Sequence, residues 1–88
     1  MIVEFKENFD KDLSRLDKKI IFRVFNKIKL LKEINNLDDI SWIKKLTWFH
    51  NFYRIRIWDY RLWFSYVDWK IILERFLHRK DIYRYFPK

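Results

Sequence analysis

The sequence predicts an α+β fold with the element order β-α-α-β-β-β and a short C-terminal helix. In this fold a helical hairpin covers one face of an antiparallel sheet. Two observations predict it: apolar residues recur at helical spacing between residues 9 and 34, and apolar and polar residues alternate between residues 53 and 64. A chain of 88 residues suits one domain, so we expect residues 1–88 to form a single domain.

The first elements are a strand and two helices. Residues 2–6 alternate weakly and predict a short strand. Phe9, Leu13 and Leu16 follow at helical spacing, and Asn8 or Asp10 is the expected N-cap of that helix.

A longer second helix is expected after Asp17, its predicted N-cap, and should end near residues 35–36. Its apolar stripe is wide enough to cover a sheet. The stripe consists of Ile20, Ile21, Val24, Phe25, Ile28, Leu31 and Ile34.

The segments on either side of the alternating stretch are less regular. Residues 36–47 predict a loop that leads into strand residues near 46–49. Residues 70–77 predict a strand in which Arg75 would share a face with Ile71, Leu73 and Leu77, which suggests a bulge, a splayed edge or a different turn. Residues 81–86 suffice for one or two helical turns.

The alternating stretch predicts a tight hairpin with Trp58 and Asp59 as its loop, so that Arg56 lies opposite Arg61 and Arg54 opposite Trp63. A type I′ turn there would need positive φ at both loop residues, which is uncommon for Trp, so another turn type or a longer loop is also open. One face is apolar and suits a core. The other face gathers the arginines, and we expect it to be open to solvent.

Positive charge is concentrated on that second face. Like charges directly opposite each other destabilise a sheet, so the Arg56–Arg61 pair favours a bound anion. The net charge of +8 favours the same kind of partner, a nucleic acid or an acidic protein. A solvated lysine-rich surface is the alternative interpretation of the charge alone.

Composition excludes several classes of site. The chain has no Cys, which excludes disulfides and thiolate metal sites. No stretch is apolar enough for a secretory signal or a membrane span, so we expect a soluble, cytoplasmic protein with no membrane partner.

Three segments resemble the RelE/ParE superfamily of toxins from toxin–antitoxin systems. They are Lys11, Asp12 and Leu13 at a helix start, HNFYRIRIWDYRLWF at 50–64, and LHRKDIYRYFP at 77–87. The resemblance is closest to RelE-like messenger-RNA endonucleases, and it implies the RelE-like fold predicted above. It also implies metal-independent cleavage by attack of a 2′-hydroxyl, with no cofactor.

Residue by residue, the resemblance implies functional roles for six positions: Arg54, Arg56, Arg61, His78, Arg79 and Tyr83. The chain has arginines where the best-known members have lysines on the first hairpin strand, and an arginine does not act as a general base. Trp58 stands where those members have Gly.

Acid–base chemistry would fall to a histidine. His78 is the first candidate because a histidine gains and loses a proton near neutral pH, and His50 is the reserve. Tyr83 and Trp63 are expected to stack on bases or orient a phosphate. We interpret Lys18, Lys19, Lys44 and Lys45 as solvated surface, with contact to ribosomal RNA as the alternative.

The partners that the resemblance implies are messenger RNA in the ribosomal A site and a cognate antitoxin in a hetero-oligomer. We expect the antitoxin to contribute acidic and apolar residues and to cover or displace residues 78–86. Two alternatives stay open at this point: a ParE-like toxin that targets gyrase without nuclease activity, or an inactive remnant that binds an antitoxin or nucleic acid.

Overall fold

The chain folds into a five-stranded sheet with helices, the α+β class that the sequence predicts. The structure is a computed structural model that describes residues 1–47 and 49–85, without the side chains of Asp39, Tyr83 and Tyr85. The elements in chain order are β1 (Ile2–Phe5), α1 (Glu7–Ser14), α2 (Lys18–Glu33), a 3-10 turn (Leu37–Asp39), β2 (Ile43–Lys45), β3 (Phe52–Ile57), β4 (Tyr60–Val67), β5 (Lys70–His78) and α3 (Ile82–Tyr85).

The sheet is mixed rather than antiparallel. Its strand order is β1-β5-β4-β3-β2, and the pairs β2–β3, β3–β4 and β4–β5 are antiparallel. β1 pairs parallel with β5, from Ile2 opposite Lys70 to Phe5 opposite Leu73. The expected all-antiparallel sheet is therefore wrong at this edge. β1 and β5 are not consecutive in the chain, since both helices and β2 to β4 lie between them, so no short turn forces these two strands to pair antiparallel.

The central hairpin has the predicted register. Ile57 lies opposite Tyr60 and Arg56 opposite Arg61, which leaves Trp58 and Asp59 as the loop. Of these two residues only Trp58 has a positive φ, at 54°, so the loop is not a type I′ turn.

A bulge in β5 explains the irregular alternation of its sequence. Trp63 pairs with Arg75 but Phe64 pairs with Leu73, so Glu74 is the extra residue. Its buried carboxylate accepts a hydrogen bond of 2.8 Å from the Ser65 hydroxyl and forms an ion pair with Lys6 at 2.8 Å. The bulge moves Arg75 off the face that Leu73 shares with the core.

The core lies between the helices and one face of the sheet. It contains the apolar face predicted for the hairpin together with residues from both helices and β5. Its buried members are Phe9, Leu13, Val24, Leu31, Leu37, Ile43, Tyr53, Ile55, Ile57, Leu62, Phe64, Ile71, Leu73 and Phe76. Within the described residues, no helix is long and apolar enough to cross a membrane.

The helix boundaries differ partly from those predicted. Asp17 caps α2 as expected, since its carboxylate accepts from the backbone N–H of Lys19 at 2.8 Å. The N-cap of α1 is Lys6 without a side-chain cap, so neither Asn8 nor Asp10 has that role. α2 ends at Glu33, and Phe25, which was assigned to its buried stripe, is exposed.

The short strand after the helices also lies earlier than predicted. β2 spans Ile43–Lys45, because Ile43 packs in the core opposite Ile55. The expected strand at 46–49 includes Trp48, which lies outside the described residues, and the others there are not in a strand.

Burial raises the pKa of the Tyr53 hydroxyl above its usual 10.0, and Asp38 and Tyr66 add to the shift. The folded state therefore keeps a proton that the unfolded chain loses above pH 10, so this contribution to stability is complete below pH 10 and declines as the pH rises further. We expect wild type to lose more unfolding free energy than Tyr53→Phe between neutral pH and pH values above 10. Denaturant titrations of both proteins across that range measure the difference, and parallel losses would contradict the role of Tyr53.

Candidate functional site

The second face of the sheet, opposite the helices, carries a row of cationic side chains. Cross-strand pairing places Lys44 opposite Arg54 and Arg56 opposite Arg61, so both like-charged pairs lie on this face. We call Lys44, Arg54, Arg56 and Arg61 the arginine face. Each like-charged pair destabilises the sheet unless an anion lies over it.

The four side chains of the arginine face differ in exposure. Lys44 and Arg56 are exposed and Arg54 is half-buried. Arg61 is only 7% exposed, and its Nη1 donates to the carbonyl oxygens of Trp58 at 3.1 Å and Tyr60 at 2.9 Å. Arg61 thus holds the hairpin loop in place as well as adding charge.

Arg79 joins this end of the sheet. It follows β5 directly, and its backbone N–H donates to the carbonyl of Asp59 at 2.8 Å, which ties it to the tip of the hairpin. Its side chain is exposed. The structure therefore brings four of the predicted residues, Arg54, Arg56, Arg61 and Arg79, to the hairpin and its tip.

His78 lies apart from these arginines. It pairs with Tyr60 and so belongs to the helix-covered side of the sheet, whereas Arg61 pairs with Leu77 on the other side. Its ring meets that of Tyr60 edge-on at 5.4 Å, and its Nδ1 accepts from the backbone N–H of Lys80 at 3.1 Å. His50, the reserve candidate, is exposed in the turn before β3, at the far end of that strand from Arg56.

The second face is partly covered, whereas the sequence predicted it to be open. Trp63 and Ile82 are fully buried although neither belongs to the core on the helix side, and α3 contacts β5. The chain after β5 therefore folds back toward this face. Tyr83 lies in α3, but its side chain is outside the described part of the chain.

One ion pair ties β5 to α1 beside this face, and the sequence reasoning missed it. Asp12 accepts from Arg75 Nε at 2.9 Å and Nη2 at 3.0 Å, and from the backbone N–H of Phe76 at 2.9 Å. The two ion-pair partners are 63 residues apart, so no local pattern links them. The sequence indicated Asp12 only as a member of the helix-start segment that resembles the RelE/ParE superfamily.

Two contacts between α2 and tryptophans were also missed. The Arg23 guanidinium lies 4.0 Å from the centre of the Trp58 ring, and the Lys27 ammonium lies 4.2 Å from that of Trp42. These are cation–π distances. Each contact joins α2 to a tryptophan outside the helix, so no local pattern indicates it.

The chemistry available at the arginine face is anion recognition. A guanidinium is planar and stays charged, and it donates two parallel hydrogen bonds to a phosphate. The described residues contain no group of three or more His, Asp or Glu that could hold a metal ion. What the residues at this site offer is positive charge and hydrogen-bond donors.

Comparison with known proteins gives the family. No family model matches the chain. Toxin RelE3 of Methanocaldococcus jannaschii is 41% identical over 88 residues, which cover 99% of this chain and 100% of that protein.

Solved structures agree with that relative. The crystal structure of the RelB–RelE antitoxin–toxin complex from Methanococcus jannaschii contains a chain 38% identical to this one, with a TM-score of 0.81 over 96% of this chain and 99% of that one. The intact E. coli RelBE complex shares the fold, with a TM-score of 0.71 at 18% identity over 85% of this chain and 92% of that one. By its identity to Toxin RelE3 along the whole chain, the protein belongs to the RelE family of toxins.

Proposed function

We propose that this toxin is an endoribonuclease that cleaves messenger RNA in the ribosomal A site. The observation that carries the proposal is the arginine face. Two like-charged cross-strand pairs are retained there, next to the exposed side chain of Arg79. A phosphodiester strand is the polyanion that relieves this repulsion, and its phosphates match the geometry of guanidinium groups.

The chemistry needs no cofactor. The 2′-oxygen of the RNA attacks the adjacent phosphorus, the bond to the 5′-oxygen breaks, and protons leave the first oxygen and reach the second. Arg54 and Arg56 would donate to the phosphate oxygens as charge develops on them. Arg61 supports them from its buried position at the loop, and Arg79 adds charge at the hairpin tip. Tyr83 would add a contact to the RNA, because α3 follows Arg79 closely in the chain.

The same proposal includes a cognate antitoxin that neutralises the toxin in a hetero-oligomer. Two structural relatives are the toxin chains of RelB–RelE and RelBE complexes. The net charge of +8 suits an acidic partner, and the exposed apolar side chains of Phe5, Phe22 and Phe25 suit an apolar one. A partner of this kind would bind more weakly as salt concentration rises.

The test is an assay of purified toxin with translating ribosomes, in which the 5′ ends of the message are mapped. The proposal expects new ends within the reading frame. Arrest of translation without new ends would overturn the nuclease proposal and move the target elsewhere, for example to gyrase if replication stops instead. Absence of both effects would identify a chain that only binds its partner.

A histidine variant tests whether acid–base chemistry depends on the helix-covered side of the sheet. Since His78 pairs with Tyr60, away from Arg61, we expect His78→Ala to lower the cleavage rate by less than about tenfold. The remaining loss would come from the turn that its Nδ1 holds through Lys80. Cleavage rates of His78→Ala and wild type across neutral pH measure this. A loss of 100-fold or more, together with a changed pH profile, would instead make His78 a catalytic residue.

A further inference from the structure

A basic groove adjoins the arginine face and runs between α2 and the tip of the hairpin. One part, of about 620 Å³, is lined by Lys18, Lys19, Phe22, Arg23, Asn26 and Trp58. It is continuous with a second part, of about 340 Å³, which shares Arg23, Asn26 and Trp58 and adds Lys27 and Arg56. Arg56 therefore belongs both to this groove and to the arginine face.

The charge of the groove has one sign. Among the residues that the structure describes, five cationic side chains and no carboxylate line its two parts. They are Lys18, Lys19, Arg23, Lys27 and Arg56. A concave surface with charge of one sign attracts an anionic chain.

Two aromatic rings are exposed in the same groove. Phe22 is 66% exposed and Trp58 is 51% exposed, with the Arg23 guanidinium over the Trp58 ring. Trp58 has a φ of 54°, a left-handed conformation that is unfavourable for a residue with a Cβ. Glycine would adopt this conformation without strain, so the presence of the Trp58 ring lowers the stability of the fold.

Cations that alternate with exposed rings are the combination that binds single-stranded nucleic acid, in which phosphates meet the cations and bases stack on the rings. We propose that this groove binds a single-stranded segment of RNA, with a base stacked on Trp58 and phosphates at Lys18, Lys19 and Arg23. The inference rests on the proposed function in one respect: the RNA in the groove is the same messenger RNA that reaches the arginine face. Arg56 belongs to both surfaces and so joins them. That continuity favours RNA over an acidic peptide.

The decisive variant removes the ring without straining the fold. Trp58→Gly places glycine at a positive φ, where it is the preferred residue, so loss of binding does not arise from a disrupted turn. The matched control is Trp69→Gly, since Trp69 also has a positive φ, at 65°, is 74% exposed, and lies in the turn at the other end of β4.

The probe is a short, labelled 2′-O-methyl oligouridine, which lacks the attacking hydroxyl, and its affinity for the purified toxin is measured by fluorescence anisotropy. We expect Trp58→Gly to weaken binding by roughly tenfold or more, the loss that accompanies removal of one stacked base, and Trp69→Gly to bind like wild type. Equal affinities of Trp58→Gly and wild type would overturn the inference.

A charge variant supplies a second measurement. Lys18→Ala combined with Lys19→Ala is expected to reduce the slope of log affinity against log salt concentration by about 1.4, the value for two lost phosphate contacts with a single strand. Lys29→Ala with Lys32→Ala removes the same charge from α2 outside the groove and should leave the slope unchanged. Equal slopes for the two pairs would contradict a phosphate track in the groove.

These binding measurements use no ribosome and a probe that is not cleaved, so they are separate from the proposed nuclease activity. Cleavage without groove binding would overturn only the inference. Groove binding without cleavage would overturn only the proposed function. An acidic peptide that binds the groove while oligouridine does not would replace RNA by a protein partner and overturn the inference as stated.

Discussion

Replacement of both Arg54 and Arg56 by alanine is expected to lower the rate of messenger-RNA cleavage on the ribosome by at least about 100- to 1,000-fold. Loss of one preorganised donor to developing charge typically has an effect of that size, and this variant removes two. The pair is preferred to Arg61 because Arg61 also binds the carbonyls of the hairpin loop, so its loss would mix structural and chemical effects.

The measurement is a single-turnover cleavage assay, with growth arrest on expression as a second reading. Lys29→Ala with Lys32→Ala is the matched control, because it removes the same charge from an exposed side of α2. Thermal unfolding should show little loss of stability in the arginine variant, since removing Arg56 relieves one like-charged pair. Cleavage at the wild-type rate by a folded variant would remove these arginines from the proposed mechanism.

Asp12→Ala is expected to reduce the free energy of unfolding by about 3–5 kcal/mol. The Asp12 side chain is 9% exposed and that of Arg75 is 19% exposed, so the substitution leaves a largely buried guanidinium without its carboxylate. The backbone N–H of Phe76 loses its acceptor as well. Small domains are stable by only about 5–15 kcal/mol, so the effect would be a large share of the total.

Urea titration measures this loss as a lower midpoint with an unchanged slope. Glu7→Ala is the control, because Glu7 pairs with Lys11 at 3.1 Å on the exposed surface of α1, where such a pair contributes less than about 0.5 kcal/mol. Asp12→Leu combined with Arg75→Met should recover most of the stability, because it removes both charges. A loss below about 1 kcal/mol in Asp12→Ala would contradict the buried ion pair.

The hairpin was predictable because its pattern is local. Alternation with a period of two fixes which side chains face the core, and a shift by one residue would expose the whole apolar set. The register that puts Arg56 opposite Arg61 follows from that constraint, as does the arginine face itself. The exact turn was harder, because Trp58 adopts a conformation that sequence preferences disfavour.

The face of the sheet on which His78 lies was not predictable, because β5 contains a bulge. The bulge at Glu74 changes the alternation within β5, so the residues after it face the opposite side from that which an unbroken strand would give. Phe76 thereby joins Leu73 in the core, and His78 follows it to the helix-covered side. A pattern can indicate that a bulge exists, but its position depends on pairing with β4.

The sequence by itself determined the α+β class, the two helices, the hairpin and its cationic face, because helical and strand periodicities are properties of neighbouring residues. Only the tertiary structure decided the parallel pairing of β1 with β5, the Asp12–Arg75 ion pair, and the burial of Trp63 and Ile82 outside the helix-side core. It also decided that Arg23 meets Trp58 and so forms the basic groove. Each of these contacts joins segments far apart in the chain, and its energy depends on burial and on distances that arise only when the sheet and helices have packed.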